Sequence, residues 1–450
     1  MLYGTQLWMD SDQESVAQSL PGEILRTIFV YTVKLASPPF PFQSTFHKYI
    51  LSPSPNREPV SLTHVCTWWR DVALSIPELW LAVSASPEAT RSTTPEVVRI
   101  WMAHASKILE PRQSRKRIGL DLQFAVPRIT TIYDPHELKH MKETVPIIWE
   151  NIRWCRSLNM CLDRQCLDLT FDILARNDDT GPAASFLEDL ELMFTSNVSS
   201  CHLQLDAICT WMHSLPSLRR LKLQFVQIYN HFNLLLETLP LQKMEEVIIS
   251  SRLSFENSLL CLSKCTAAEA ITLAKMGWPI PSPVQLSDLL VNPTITLPHL
   301  TSLCLTDSVG PVILLRFLNL PSLKKLTICK STPSPFDTSI INLEAFLLRS
   351  QCPLEVLTVS DSKMLHSYGT ALLQMKTIKK VQNVDLGYHH SGRLLKLDFY
   401  RMASLSQGVK KLMAWVSFSD SHEHIGWKET LEPQEKLLYW IEDGFRLHEM

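Results

Sequence analysis

Leu218-Arg219-Arg220-Leu221-Lys222-Leu223 and Leu323-Lys324-Lys325-Leu326-Thr327-Ile328 share one pattern, L-x-x-L-x-L with other apolar residues allowed. It returns through the second half of the chain, with copies starting at Leu187, Leu218, Met244, Ala268, Leu300, Leu323, Leu354 and Val381. Successive starts are 31, 26, 24, 32, 23, 31 and 27 residues apart, and a weaker ninth copy is Val409-x-x-Leu412-x-Ala414. One such copy reads as a single buried strand. Eight define a repeat, because each unit cannot bury its apolar face alone and must stack on its neighbours. In each unit the x-L-x-L portion predicts a short strand whose leucines point inward while the alternate residues face out.

Leucine-rich repeats run about 20 to 29 residues, so three of these gaps need insertions, and the copies at Ala268 and Val381 are degenerate. The position three beyond the last apolar residue holds Thr195, Ser308, Ser331 and Ser362. Their hydroxyls bond local backbone much as an Asn amide does. Upstream, Ile118, Leu120, Leu122 and Phe124 alternate as a strand, as do Leu158, Met160 and Leu162, with Pro146 to Arg153 helical between them. The span 86–184 thus reads as a linker and entry repeat, and 185–418 as an irregular leucine-rich-repeat-like α/β solenoid. In the C-terminal cap, 419–450, Leu431 to Leu447 predicts a helix covering the last repeat.

The N-terminal part follows a different period. After a tail at 1–18, Leu20 to Tyr31 predicts a helix, with Pro21 at its first turn and Glu23 where the helix dipole favours an anion. Ile24, Leu25, Ile28 and Phe29 form its apolar stripe. Six prolines between Ser37 and Pro59 predict a loop. Helical spacing resumes through Leu62, Val65, Cys66, Trp69, Val72 and Ala73, and Pro77 ends the run.

These two segments, over 19–85, resemble the F-box, in the version common in the large F-box families of mushroom-forming fungi. Leu20-Pro21-x-Glu23-Ile24-Leu25-x-x-Ile28-Phe29 corresponds to the opening helix. Leu62-x-x-Val65-Cys66-x-x-Trp69-Arg70-x-x-Ala73-x-x-x-Pro77-x-Leu79-Trp80 corresponds to the closing half. The loop, about 37–59, is longer than in most F-boxes, and Trp68 replaces a usual polar residue and is expected to pack half-buried. The resemblance implies a three-helix module that binds a Skp-type adaptor, through it a cullin scaffold, and places the chain as the substrate-recognition subunit of an SCF-type ubiquitin ligase. The alternatives are a non-catalytic repeat scaffold outside any ligase and, after it, an unrecognised enzyme. Adaptor-facing residues are expected among Leu20, Pro21, Ile24, Leu25, Ile28, Leu62, Val65, Cys66, Trp69 and Val72, which offer more apolar surface than so small a module buries internally. The first 85 residues are expected to suffice for adaptor binding.

Composition narrows the rest. Lys+Arg 43 against Asp+Glu 45 gives a net charge of -2, so no global field draws the chain to nucleic acid or a membrane surface. Hydrophobic residues at 45%, charged residues at 20% and a mean hydropathy of +0.02 describe a folded protein. No run approaches the roughly 18 apolar residues of a membrane span. Eleven scattered cysteines without C-x-x-C predict free thiols and a reducing compartment, cytoplasm or nucleus. Arg112-x-x-Arg115-Lys116-Arg117 reads as a solvated loop, with nuclear import as the alternative. Cys161-x4-Cys166, Cys261-x3-Cys265, His389-His390 and His422-x-His424 lack the paired spacing of a metal site, and Cys304 and Cys329 read as small core residues. No nucleophile signature, phosphate loop or cofactor motif is present, so no enzyme activity, catalytic residue, metal or cofactor is expected. A protein substrate is expected on the outward strand positions: Asp189, Glu191, Arg220, Lys222, Gln224, Ser302, Thr306, Thr327, Thr358 and Ser360. Reversing the charge of Arg220 and Lys222 is expected to leave the fold intact.

Overall fold

From Leu187 onward, parallel strands follow one another in chain order, each preceded by the start of a copy of the repeat. The computed structural model describes residues 20–36, 57–85, 95–109, 119–124, 134–176, 184, 186–195, 201–225, 232–274, 294–306, 311–330, 337–361, 371–389, 411–417, 436–441 and 444–447. The chain forms two compact units, Met1–Cys161 with Pro182–Leu187, and Leu162–Gly181 with Glu188–Met450.

The first unit contains α1 (Gly22–Ala36), α2 (Arg57–Thr63), α3 (Thr67–Ser75), a 3₁₀ turn at Pro77–Leu79, β1 (Ala82–Ala85), α4 (Pro95–Leu109), β2 (Leu120–Phe124), α5 (Pro135–Glu150) and β3 (Cys155–Leu162). β1, β2 and β3 pair in parallel. Gly119 leads into β2, and a β-carbon there would stand 2.5 Å from Arg156 Cβ, so the close approach of the backbones requires glycine. The indoles of Trp80 and Trp101 lie 4.8 Å apart, Trp101 Nε1 donates to the Trp80 carbonyl, and Trp80 Nε1 donates to that of Ala73. These contacts seat α3 against α4.

The second unit contains α6 (Arg164–Arg176), β4 (Asp189–Phe194), α7 (His202–His213), β5 (Arg220–Phe225), α8 (Phe232–Thr238), β6 (Glu246–Ser250), α9 (Phe255–Lys264), β7 (Ala270–Ala274), β8 (Ile295–Thr296), β9 (Ser302–Thr306), α10 (Pro311–Leu314), β10 (Leu318–Asn319), β11 (Lys325–Lys330), α11 (Asp337–Ser350), β12 (Val356–Asp361), β13 (Asn383–His389), β14 (Lys411–Ser417), β15 (Lys436–Ile441) and β16 (Gly444–Leu447). β4, β5, β6, β7, β9, β11, β12, β13 and β14 pair in parallel in that order, while β8 and β10 form a separate parallel pair. This is an α/β fold built from repeating strand–helix units.

The repeat explains the geometry residue by residue. Its first position is buried in all eight copies, from Leu187 at 0% exposure to Leu354 at 7%. The fourth and sixth positions, such as Leu221 and Leu223 or Leu326 and Ile328, are buried too. The carbonyl of the second position accepts two amides of the next unit: Arg219 and Arg220 donate to Glu188, Glu245 and Glu246 to Arg219, Glu269 and Ala270 to Glu245, Thr301 and Ser302 to Glu269. Lys324 and Lys325 then donate to Thr301, and Glu355 and Val356 to Lys324. The same rung repeats although the unit length varies, because insertions fall between rungs. Leu205, Ile208, Trp211 and Met212 of α7 and Leu235 and Leu236 of α8 supply the helical side of the core, and Phe225 joins Phe194 to Phe232 at ring distances of 4.6 and 5.0 Å. Thr195, at the hydroxyl position, is buried.

Several expectations are corrected. The helix through Leu62 to Ala73 is two helices: α2 ends at Thr63, where Arg70 Nε donates to its carbonyl, and Cys66 begins α3 by accepting from the Trp69 amide through Sγ at 3.4 Å. The loop expected to reach Pro59 gives way to α2 at Arg57, since proline is tolerated in a first turn. Within 86–184, α5 starts at a capping box, Asp134 with Glu137, eleven residues before the helix was expected. The terminal helix over Leu431 to Leu447 is instead an antiparallel pair, β15 with β16, alongside β14. Leu437-Leu438-Tyr439-Trp440-Ile441 is rich in aromatic and branched residues, which favour strand. The tail 1–18, most of the proline-rich insertion, the basic run, His390, His422, His424, Ser308, Ser331 and Ser362 lie outside the described residues.

Candidate functional site

Each unit carries one candidate surface. On α1 the helical period sorts the apolar residues into two stripes. Leu25 and Phe29 are fully buried, with the Phe29 ring 4.9 Å from that of Trp69. Ile24, Ile28 and Tyr31, at i, i+4 and i+7, are 49%, 42% and 63% exposed. Val65 at 56% and Trp68 at 40% are exposed as well. The Trp68 indole stands over Gly22, with Cζ2 3.7 Å from where a β-carbon would be, so the start of α3 lies beside the start of α1.

Among the residues expected to face an adaptor, Pro21, Ile24, Ile28 and Val65 are exposed and Leu20, Leu62, Cys66 and Trp69 are half-buried. Leu25 and Val72 are corrected to interior residues, because the period turns them toward the α1–α3 core. Tyr31, beyond the F-box pattern, and Trp68, expected to pack half-buried, are additions to the exposed set. The i+7 spacing from Ile24 is the signal that identifies Tyr31. The Arg26–Glu78 ion pair, 3.1 Å, joins α1 to the 3₁₀ turn, and with both side chains more than half exposed it contributes little stability.

On the second unit, the third, fifth and seventh repeat positions are the half-exposed face of the strands. In register, Asp189 stands beside Arg220, Glu191 beside Lys222 and Met193 beside Gln224. Ser302, Thr306, Thr327 and Thr358 lie half-exposed on later strands, and Ser360 lies on β12, its side chain outside the described set. The charged candidates neutralise one another. Arg220 grips Asp189 through Nε and through Nη2 at 2.6 Å, and Lys222 meets Glu191 at 2.6 Å. The hydrogen bond to Asp189 holds the Arg220 guanidinium above its ordinary pKa. Arg219 pairs with Glu245, and Lys324 with Glu355 at 3.8 Å. Cys304 and Cys329 are corrected from core residues to members of this outward, half-buried set, since they alternate with the leucines.

No group of three or more His, Cys, Asp or Glu residues among the described residues is arranged to hold a metal ion. A bond to Cys265 and burial push the Cys261 thiol well up, and burial raises Cys155 and Cys304, which keeps these sulfurs protonated and poor nucleophiles. No helix among the described residues is long and apolar enough to cross a membrane.

No protein-family model and no curated protein matches the chain. Among solved structures, it is similar to a protein from Bacteroides fragilis at 12% identity and a TM-score of 0.32, over 72% of this chain and 84% of that one.

Proposed function

We propose that the chain is the substrate-recognition subunit of an SCF-type cullin–RING ubiquitin ligase. In this reading α1, α2 and α3 are an F-box that holds a Skp-type adaptor, and the strand–helix units are a leucine-rich-repeat-like solenoid whose outward strand face holds a protein substrate. The observation that carries it is the exposed stripe Ile24, Ile28 and Tyr31, with Val65 and Trp68 exposed nearby in sequence to the closing half. A small helical module that leaves this much apolar surface in water is built to be covered. No chemistry is assigned to the chain itself; its part is to bring two proteins together.

The test is capture of a recombinant Skp-type adaptor by the intact chain. The expected result is a stable complex that Ile24→Gln/Ile28→Gln abolishes while the fold persists. Absence of the adaptor from the pull-down removes the ligase reading and leaves the scaffold reading, in which the same stripe pairs with another protein.

A further inference from the structure

The parallel register lays the outward side chains of the second unit in rows across the strands. One row runs Asp189, Arg220, Glu246, Ala270, Ser302, and the next Glu191, Lys222, Ile248, Thr272, Cys304. At the entry end of β4–β7, the third and fifth positions hold Asp189, Glu191 and Glu246 against Arg220 and Lys222, and the second positions, which precede the strands, hold Glu188, Glu245 and Glu269 against Arg219. All three cations already have partners: Glu245, Asp189 and Glu191 respectively. Glu246 and Glu269 have no ion pair among the described residues, and the fields of both Glu246 and Glu188 reach Arg220. Glu246 on the face and Glu269 at the entry to β7 therefore carry negative charge that no ion pair among the described residues offsets.

A second feature lies beside this excess. Ile248 is a half-exposed aliphatic side chain in the middle of the face, next in register to Thr272, and Cys304 and Thr327 continue the row with small side chains. Glu246 and Glu269 with the half-exposed Ile248 nearby suit a chain that offers cations and aliphatic groups in alternation.

We infer that the β4–β9 face takes an extended basic segment of a partner protein, with lysine or arginine side chains on Glu246 and Glu269 and an intervening aliphatic side chain on Ile248 and Thr272. The inference rests on reading this face as the substrate surface, and it names the class of segment held there. A segment of mixed charge gains less, because Arg219, Arg220 and Lys222 of the β4–β7 end are already paired. The contact is electrostatic at its rim, so it weakens as salt shortens the screening length, about 8 Å at physiological ionic strength.

The experiment uses the full chain and a fluorescein-labelled decapeptide alternating lysine and valine, with the glutamate–valine counterpart as reference, followed by anisotropy. The lysine peptide binds and the glutamate peptide does not. Glu246→Gln/Glu269→Gln weakens binding by about tenfold, whereas Glu237→Gln/Glu256→Gln, on the exposed sides of α8 and α9, leaves it unchanged. Equal binding of both peptides, equal loss in the two variants, or no loss in the first overturns the inference. Adaptor capture is measured on the same preparations. If the wild-type chain binds the lysine peptide at this face but captures no adaptor, the ligase reading fails while the basic-segment inference stands.

Discussion

Neighbouring side chains on one helix have opposite tasks. Ile28 and Phe29 are adjacent and equally apolar, yet Phe29 packs on Trp69 and Ile28 faces water. Their substitutions separate stability from binding. Trp69→Ala removes a half-buried indole and its contact with Phe29, and lowers unfolding free energy by about 2 to 3 kcal/mol, below the roughly 3 to 5 kcal/mol of a fully buried tryptophan. Ile24→Gln/Ile28→Gln changes stability by no more than about 0.5 kcal/mol per site, as surface changes do. The same pair weakens adaptor binding at least tenfold, about 1.4 kcal/mol. Urea titrations beside binding titrations check both; a double variant that binds normally places the adaptor surface elsewhere.

At the scale of elements, each of β4, β5 and β6 opens with two like charges, and neighbouring strands carry opposite signs: Glu188-Asp189, Arg219-Arg220, Glu245-Glu246. Opposite charges side by side favour the observed register, at roughly 0.2 to 1 kcal/mol for each cross-strand pair. Arg220→Glu/Lys222→Glu, expected to leave the fold intact, is predicted to lower its stability, because the new carboxylates face Asp189, Glu191 and Glu246. The double reversal is predicted to cost about 1 to 2 kcal/mol, with partial exposure keeping it small. Adding Asp189→Lys/Glu191→Lys restores most of the loss in a double-mutant cycle. Additive losses across the four substitutions contradict the pairing. Lys243 works between elements: its ammonium donates to the carbonyls of Met212, His213 and Leu215, the last at 2.7 Å, and closes the end of α7.

At the scale of the molecule, buried thiols set the response to alkali. Burial pushes Cys209 up to about 11 and raises Cys155, Cys304 and Cys352 as well, and a bond to Cys265 together with burial raises Cys261. A raised folded-state pKa means that the folded chain holds its proton while the unfolded chain releases it. The stability is complete below pH 9 and is lost as pH rises from there through the folded values. Cys209 alone accounts for about 1.4 kcal/mol at pH 10. Urea midpoints should fall between pH 8 and 10, and Cys209→Ala should flatten that fall by about one thiol's share; an unchanged slope excludes Cys209 as a contributor. The first 85 residues, expected to suffice for adaptor binding, end inside the first unit. A cut there removes Trp101 from Trp80 and β2 from β1, so the fragment is predicted to unfold at lower urea than the helical module of the intact chain.

Periodicity alone located the repeated strands and their buried positions, down to the degenerate copies at Ala268 and Val381, which form β7 and β13 like the others. Local apolar spacing is sufficient there because each unit buries its first and fourth positions, and every described sixth position is buried too, whatever the length of the insertion. The break between α2 and α3, the interior placement of Leu25 and Val72, and the strands at the C-terminal end depended on tertiary contacts. An amphipathic stripe on one helix does not say which flank meets the core. The outward charges are the sharpest case: their alternation along each strand is legible in the sequence, but their pairing is not. Arg220 and Asp189 are 31 residues apart, and only the parallel register brings them together and leaves Glu246 and Glu269 without ion pairs among the described residues.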